Sequence, residues 1–370
     1  MKHIRISVLI LCACFVPVAW GTCPSHTPWA QFHRMNMQRW NPCEKVLNVH
    51  NVGKLKLKWR FNMHGLVEPG SPVLANGVVY AVSQNGVIEA LTASTGRSLW
   101  FDTTDGYLQS SPAVANGVVY VTAGDGNFYA LNASTGALLW SYATGVFMTS
   151  SPAVANGAVY FASWDNNVYA LDAATGAVLW TYATGGEVLS SPAVKNGVVY
   201  LGSADRNLYA LDASTGGLLW SYPVGGTGFD SPAVADGVVY TGTGEGNLYA
   251  LNATTGVLLW SYPVAAANYS SPAVANGVVY AGSDNGNVYA LNASTGVLLW
   301  SYAASSTTVE SLAVANGVVY FGSDQLYALN ARTGAKLWSY ASGQTGSPIV
   351  ANGVVYTGSF DNHVYAFGLK

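Results

Sequence analysis

The chain has 370 residues, of which only 9% are charged, and its formal net charge is -3. Since about 25% charged residues is usual for a globular domain, Ser, Thr, Asn, Gly and Tyr must cover most of this surface. So few charges exclude a basic stripe for nucleic acid and an acidic tail. After residue 20, Gly, Asn or Ser interrupts every apolar run, which excludes a transmembrane helix from that part of the sequence.

The first residues have the pattern of an export signal. Lys2 and Arg5 precede a mostly apolar run of 15 residues, 6–20. We predict a signal peptide over residues 1–21 and a periplasmic, cell-envelope or secreted location. Residues 11–14, Leu-Cys-Ala-Cys, loosely resemble a lipoprotein signal, so a lipid anchor is the alternative.

Residues 22–54 match no other part of the chain, and we predict an extended cap segment that lies on the domain after it. The two cysteines of this segment, Cys23 and Cys43, would lie in an oxidising compartment. We predict that they form a disulfide, because no Cys-x-x-Cys spacing favours a metal or redox pair.

The rest of the chain, 55–370, is a tandem repeat. One complete copy runs from Ser111 to Tyr142, and a fixed period of this length indicates one supersecondary unit per copy. The copies open at Ser71, Ser111, Ser151, Ser191, Ser231, Ser271, Ser311 and Ser347, with Leu312 replacing the usual Pro in one of them. Tryptophans close the strands at Trp59, Trp100, Trp140, Trp180, Trp220, Trp260, Trp300 and Trp338.

Each copy predicts four short antiparallel strands, which make one propeller blade. Proline stands at the first strand position, where it removes no needed ladder bond. Asn116-Gly117 and its counterparts are the strongest short signal for a hairpin, because both residues of a type I′ turn need a positive φ. The Tyr-Ala-Leu run supplies the third strand, and Ser-Thr-Gly turns the chain into the tryptophan strand.

The two ends of the repeat region determine the number of blades. The last copy begins at Ser347 and stops before its own tryptophan strand, whereas the alternating segment 55–61, which contains Trp59, has no copy ahead of it. We therefore predict an all-β, eight-bladed propeller in which the Trp59 strand completes the last blade. Closure removes the open sheet edges, and the tryptophans are expected to be buried between blades.

The run from Ala130 through Thr135-Gly136 to Trp140 resembles the repeat of the pyrroloquinoline quinone (PQQ) proteins, and the resemblance covers about 55–370. It implies the same propeller fold. One branch of that superfamily comprises the quinoprotein alcohol and glucose dehydrogenases, and another the non-enzymatic propellers similar to the outer-membrane assembly lipoprotein BamB. PQQ with calcium is implied as a cofactor by this resemblance alone.

The sequence departs from the dehydrogenase pattern where the chemistry would be. It has no adjacent Cys-Cys pair, no Cys-x-x-Cys-His haem motif and no insertions in its bare 40-residue blades. The shared motif belongs to the scaffold of the blade, and it therefore supports the fold more than catalysis.

A binding site must break the symmetry of the repeat, and the breaks concentrate in the loops before each Ser-Pro. We expect these loops to surround the mouth of the central channel and to suit a small polar ligand or a peptide; the alternative is that they are ordinary solvated loops. The candidates are Glu68, Tyr107, Gln109, Phe147, Glu187, Phe229, Asp230, Asn268, Tyr269, Glu310 and Gln344. Trp164 is a further candidate, either as an exposed contact residue or as an apolar filler.

Metal and hydrolase signals are weak. The turn residues Asp125, Asp165 and their counterparts offer one carboxylate per blade, too few for calcium. His64 and His363 form no zinc motif, and no Gly-x-Ser-x-Gly elbow occurs.

We therefore expect an exported, monomeric and non-catalytic propeller that presents a polar ring face to a protein, peptide or glycan partner. The second hypothesis is a PQQ-binding dehydrogenase, and the third is a lectin-like multivalent binder suggested by the near-identical turns.

Overall fold

The computed structural model describes residues 29–34, 37–63, 70–226, 230–264, 270–304 and 308–370. Eight sheets, one for each sequence copy, form the blades of a closed ring, and the four strands of each blade are antiparallel. Ahead of the ring come β1 (Trp40–Asn41), a single 3-10 turn (Val52–Lys54) and β2 (Lys56–Asn62). Within the described residues, no helix is long and apolar enough to span a membrane.

The first four blades have nearly identical strand lengths. Blade 1 contains β3 (Val73–Ala75), β4 (Val78–Val82), β5 (Val87–Thr92) and β6 (Ser98–Thr103). Blade 2 contains β7 (Ala113–Ala115), β8 (Val118–Thr122), β9 (Asn127–Asn132) and β10 (Leu138–Ala143). Blade 3 contains β11 (Ala153–Ala155), β12 (Ala158–Ala162), β13 (Asn167–Asp172) and β14 (Val178–Ala183). Blade 4 contains β15 (Ala193–Lys195), β16 (Val198–Gly202), β17 (Asn207–Asp212) and β18 (Leu218–Pro223).

The last four blades continue the pattern. Blade 5 contains β19 (Ala233–Ala235), β20 (Val238–Gly242), β21 (Asn247–Asn252) and β22 (Leu258–Pro263). Blade 6 contains β23 (Ala273–Ala275), β24 (Val278–Gly282), β25 (Asn287–Asn292) and β26 (Leu298–Ala303). Blade 7 contains β27 (Ala313–Ala315), β28 (Val318–Gly322), β29 (Leu326–Asn330) and β30 (Lys336–Tyr340). Blade 8 contains β31 (Ile349–Ala351), β32 (Val354–Gly358), β33 (His363–Gly368) and β2.

The turn between the first two strands of each blade has the expected geometry. The Asn or Asp residues of these turns have φ between 43° and 53°, and the glycines after them have φ between 74° and 80°. Two consecutive positive φ angles match the right-handed twist of a tight hairpin, which confirms the sequence assignment of the turns.

The ring closes as the sequence predicts. Strand β2 pairs antiparallel with β33, with Trp59 opposite Ala366 and Arg60 opposite Tyr365. The Trp59 indole N–H then donates to the carbonyl of Ala93 in blade 1 at 2.9 Å. The two ends of the propeller therefore share one blade and bond to the next, which confirms the eight-bladed closure.

The same contact recurs at five of the other blade junctions, whereas the Trp140 indole N–H makes no hydrogen bond within the described residues. An indole N–H of one blade donates to an alanine carbonyl of the next blade at 2.9–3.0 Å from Trp100, Trp180, Trp220, Trp260 and Trp300. The Thr-Gly glycine of the next blade lies on the indole ring so closely that a Cβ atom at Gly216 would meet Trp180 at 2.7 Å. Because glycine alone permits this approach, the repeated Thr-Gly and Trp are two halves of one interblade contact.

Candidate functional site

The described parts of the loops before each Ser-Pro surround one end of the central channel, which we call the mouth. The serine that opens each blade lies at the channel wall, and its hydroxyl oxygen accepts the backbone N–H of the preceding blade's serine. This bond is 2.7 Å between Ser71 and Ser111 and 2.9 Å between Ser111 and Ser151. It recurs in blades 3 to 4, 4 to 5 and 6 to 7. A belt of hydroxyl groups therefore lines the channel just inside the mouth.

The channel is blocked below this belt by residues 29–34 and 37–41, which we call the plug segment. Its backbone oxygens accept one N–H from the innermost strand of blade after blade. The accepting carbonyls, at 2.7–2.9 Å from the donor nitrogens, are those of Trp29 for blade 1, Ala30 for blade 2, Met37 for blade 5, Gln38 for blade 6 and Arg39 for blade 7. Side chains continue the pattern, with Gln31 accepting from Val154 and Asn41 donating to Val350. The plug segment turns the open ring into a cup.

Arg39 of the plug segment belongs to the cup's floor and is completely buried. Its guanidinium donates to the carbonyls of Leu312, Phe32 and Pro348 at 2.6, 2.8 and 3.1 Å, and to the Ser71 hydroxyl at 3.4 Å. Burial lowers the pKa of Arg39 to about 9, although the negative charge of Glu310 opposes the shift. The floor therefore carries a positive charge whose donors are already occupied by protein oxygens.

His33 of the plug segment is also buried, and within the described residues neither of its ring nitrogens makes a hydrogen bond. Burial lowers the pKa of His33 to about 3, Arg39 adds to the shift, and the backbone of Ser191 offsets part of it. The imidazole is therefore neutral at physiological pH and acts as packing in the floor.

Three of the sequence-predicted candidates, Gln109, Trp164 and Glu310, meet at the mouth. A cavity of about 320 Å³ is lined by Gln109, Thr149, Trp164 and Glu310 above the serine belt, with Phe32 at its base. Phe147 lies behind this wall and packs edge-on against Trp164, with ring centroids 5.0 Å apart. The Trp164 indole N–H also donates to the Thr149 hydroxyl at 3.3 Å. The half-buried indole is therefore held in place and still lines the cavity.

Three other candidates lie on the outer rim and do not line this cavity. Tyr107, Glu187 and Gln344 are exposed, and Tyr107 is 62% exposed. Their backbone carbonyls accept an N–H from the adjacent turn at 2.8–3.0 Å. Glu68, Phe229, Asn268 and Tyr269 lie outside the described residues.

Asp230 behaves differently from the other loop candidates, because it is buried at 1% exposure. Neither of its carboxyl oxygens makes a hydrogen bond within the described part of the chain. Burial raises the pKa of Asp230 well above its usual range, and the nearby Asp284 adds to the shift. Most counterparts of Asp230 are serines, such as Ser190, whose hydroxyl donates to the Asp230 backbone carbonyl at 3.0 Å. The structure therefore places a neutral carboxyl group at a position where the repeat has a small hydroxyl.

The turn carboxylates have local partners. Asp125 accepts the backbone N–H of Asn127 at 2.8 Å and the Tyr129 hydroxyl at 2.6 Å. Asp165 and Asp205 make the equivalent bonds to their own tyrosines. Among the described residues, no group of three or more His, Cys, Asp or Glu side chains could hold a metal ion. These aspartates shape the turns.

The plug residues that build the floor were missed by the sequence analysis. Phe32, His33 and Arg39 lie in a segment without a repeat, and their bonding partners are far away in the sequence. The one available signal was that Arg39 is among only 15 Lys and Arg residues in the chain. Cys43 is disulfide-bonded, and because Cys23 lies outside the described residues, their pairing stays a prediction.

Fold and site together define an eight-bladed propeller of the PQQ-repeat class with its channel closed at one end. The family described as "Outer membrane protein assembly factor BamB" matches residues 53–150, 143–273 and 309–370. These ranges cover more than half of the chain, which therefore belongs to this family.

Curated relatives match a short part of the chain. The dehydrogenase subunit of the quinone alcohol dehydrogenase of Gluconobacter oxydans (strain 621H) is 38% identical over 74 residues, which is 20% of this chain and 10% of that protein. The corresponding subunit of Komagataeibacter europaeus is 34% identical over 74 residues, with the same coverage. The chain thus matches about a tenth of the length of these relatives.

Solved structures of both branches share the fold. BamB from Moraxella catarrhalis superposes with a TM-score of 0.74 at 20% identity, covering 85% of this chain and 100% of that chain. The quinohemoprotein alcohol dehydrogenase ADHIIG from Pseudomonas putida HK5 gives 0.81 at 18% identity, covering 93% and 80%. A europium-containing methanol dehydrogenase gives 0.82 at 15% identity, covering 93% and 98%. At these identities the likeness concerns the fold alone.

Proposed function

We propose that this propeller is a non-catalytic binding module whose mouth receives an extended peptide segment of a protein partner. The observation that carries the proposal is the cup. The plug segment closes one end, and the open end leads into a cavity of about 320 Å³ with a fixed aromatic wall. Concave sites with an apolar surface and a few placed polar groups are the usual form of a ligand site.

The chemistry of the wall suits a chain of amide groups. Ser191, Ser231 and their counterparts offer hydroxyl groups at regular intervals, and Gln109 offers an amide that both donates and accepts. Trp164 supplies a large apolar face, the kind of side chain that dominates binding energy at interfaces. The family's description as an outer membrane protein assembly factor also supports a protein partner.

The alternative, a PQQ-binding dehydrogenase, is favoured by the matched segments of the quinone alcohol dehydrogenases. PQQ carries three carboxyl groups and needs cationic or metal partners. The described cavity wall offers hydroxyl groups, amides and one carboxylate, Glu310, while the donors of Arg39 below are already used. These residues therefore do not fit PQQ.

We further propose that the protein acts outside the cytoplasm. The signal-like pattern over residues 1–21 and the disulfide at Cys43 both support an oxidising compartment.

The proposal is tested by selecting binders from a display library of random peptides on the intact mature protein. Selected peptides are then titrated calorimetrically against the wild type, the Trp164→Ala variant and a matched control, Leu179→Ala, whose side chain is exposed on the ring perimeter. We expect affinity to fall about 10–30-fold for Trp164→Ala, the range of an aromatic anchor, and to be unchanged for Leu179→Ala. Equal binding by all three proteins would contradict the proposal.

The same protein is titrated with PQQ in the presence and absence of calcium. Saturable one-to-one binding of PQQ would replace the binding-module function with the cofactor hypothesis, and no heat of binding is the outcome we expect.

A further inference from the structure

A second and larger cavity lies on the face opposite the mouth. It has a volume of about 870 Å³ and is enclosed by blades 4 and 5 together with Gln38, Trp40 and Pro42. The Asn-Gly and Asp-Gly turns that join the first two strands of blades 4 and 5 line this cleft. The described parts of the loops that form the mouth lie at the other end of the channel. This cleft is therefore separate from the cup, and a ligand bound in it would not touch the mouth.

The cleft is lined by two residues that occur in one blade each. Lys195 stands where the other seven blades have Ala75, Ala115, Ala155, Ala235, Ala275, Ala315 and Ala351. Asp236 stands where the other seven have Asn76, Asn116, Asn156, Asn196, Asn276, Asn316 and Asn352. In a chain with only 9% charged residues, both exceptions introduce a charge, and both line the same cleft from neighbouring blades.

Neither exception is needed by the fold. Asp236 keeps the positive φ of its counterparts, 49° beside 49–51° in Asn76, Asn116 and Asn196, so the turn gains nothing from the carboxylate. Lys195 is the last residue of the innermost strand of blade 4, and the same strand ends in alanine in the other blades. The described residues show no ion pair between Lys195 and Asp236. The two opposite charges therefore remain available to a ligand in the cleft.

The remaining walls are suited to apolar side chains. Val198, Leu219 and Val234 line the cleft, and the half-exposed indole of Trp40 joins them from the plug segment. Asn196 and Thr254 add hydroxyl and amide groups at the edge. An apolar floor with an ammonium at one wall and a carboxylate at another is complementary to a molecule with a carboxylate, an ammonium and an apolar body between them.

We propose that this cleft binds a short peptide with free ends. The ligand carboxylate pairs with Lys195, the ligand ammonium pairs with Asp236, and an apolar or aromatic side chain packs on Trp40 and Leu219. Its volume lies within the range of about 300–1,000 Å³ for small-ligand sites, which accommodates a few residues. A neutral saccharide would leave both blade-specific charges without a counter-charge, and the observations therefore favour the zwitterion.

The test uses calorimetric titration of the intact protein with the tripeptide Ala-Phe-Ala in three forms: with free ends, N-acetylated and C-amidated. Lys195→Ala and Asp236→Asn are the test variants, and both restore the residue of the other seven blades, so the fold is preserved. Asn116→Asp in blade 2 is the matched control, because it places a carboxylate at an equivalent turn away from the cleft.

We expect the free tripeptide to bind the wild type and the Asn116→Asp protein equally. Each variant, and each capped form, weakens binding about 2–5-fold, the effect of losing one ion pair near the protein surface. Lys195→Ala does not weaken the amidated peptide further, and Asp236→Asn does not weaken the acetylated peptide further. Trp164→Ala, at the mouth, leaves all of these affinities unchanged.

Three outcomes would overturn the proposal: no saturable binding of the free tripeptide, equal affinity for the free and capped forms, or loss of binding in Trp164→Ala but not in Lys195→Ala. Tighter binding of the neutral disaccharide cellobiose than of the tripeptide would also overturn it and would assign the cleft to a saccharide.

Discussion

The blade junctions and the channel axis of this propeller are built in opposite ways. At the junctions one contact recurs around the ring, as a tryptophan bonds an alanine carbonyl and rests on a glycine of the next blade. The plug segment on the axis does not repeat, because it touches successive blades with different residues. The repeated contacts stabilise the ring. The unrepeated contacts of the plug segment close one end of the channel and so make its two ends different. Substitutions in the two regions should therefore have different effects.

The largest effect is expected at a junction. Trp180 is 7% exposed, bonds Ala213 at 3.0 Å and packs against Tyr160 and Gly216. Trp180→Ala should lower the free energy of unfolding by about 3–5 kcal/mol, because it leaves a large cavity. It also removes one of the two donors to the Ala213 carbonyl, the other being the Tyr160 hydroxyl at 3.0 Å. Chemical denaturation measures it, with Leu179→Ala, 53% exposed, as the control. Similar losses for both variants would show that the junction contact is not what holds adjacent blades.

The plug should show the next largest effect. Arg39→Ala removes a buried charge and the guanidinium donors to the carbonyls of Leu312 and Pro348. The Phe32 carbonyl loses its shorter bond and keeps the Trp29 indole N–H at 3.4 Å. We expect a loss of about 2–4 kcal/mol, since each unsatisfied buried acceptor is costly. Chemical denaturation measures this loss of stability. Limited proteolysis detects it as well, because a loosened plug segment becomes exposed before the ring unfolds. Arg97→Ala, on the exposed surface, is the control; equal protease resistance of both variants would contradict a clamping role for Arg39.

A pair of glycines separates backbone strain from the tryptophan contact. Gly197 and Gly216 both have a positive φ, 78° and 72°, but only Gly216 lies on an indole ring. Gly197→Ala should cost about 1–2 kcal/mol for the left-handed backbone, and Gly216→Ala should cost about 1–3 kcal/mol more because its Cβ overlaps Trp180. Thermal unfolding of the two variants measures the difference. Equal melting temperatures of the two variants would show that the junction accommodates the added Cβ atom without loss of stability.

The smallest effect depends on pH. The raised pKa of Asp230 means that the native state keeps a proton which the unfolded chain releases above about pH 4. The contribution of Asp230 to stability is therefore present below that pH and is lost as the pH rises. Asp230→Asn should stabilise the protein by about 1–2 kcal/mol at neutral pH, and the gain should shrink as the pH approaches 4.

Denaturation across the range pH 4–8 tests this, with the exposed Asp105→Asn as the control. A gain that does not depend on pH would show that the Asp230 carboxyl is already ionised in the fold.

Most of the ring could be predicted from the sequence because its contacts are short-range or repeated. Asn116-Gly117 specifies a hairpin through two backbone angles, and the constant spacing of tryptophans and Thr-Gly pairs specifies one junction copied around the ring. Even the closure by Trp59 followed from one strand missing at one end and one left over at the other.

The site was predicted in part. The break in symmetry before each Ser-Pro led to Gln109 and Glu310, and an unusual residue in a turn of the third blade led to Trp164. All three line the mouth. The symmetry break could not separate the first two residues from Tyr107 and Gln344, which are exposed on the rim, or from the buried Asp230, because all of them occupy similar loop positions. Their different orientation depends on how each loop packs against the turn of its own blade.

The sequence alone therefore determined the period, the strands, the turns and the number of blades, since these follow from backbone preferences and from a pattern repeated within the chain. Only the tertiary structure decided that residues 29–34 and 37–41 enter the channel and that Arg39 lies in its floor. It alone also brings Lys195 and Asp236 to one cleft. Each of these features depends on hydrogen bonds and burial among residues up to 309 positions apart in the chain, and no local pattern specifies such partners.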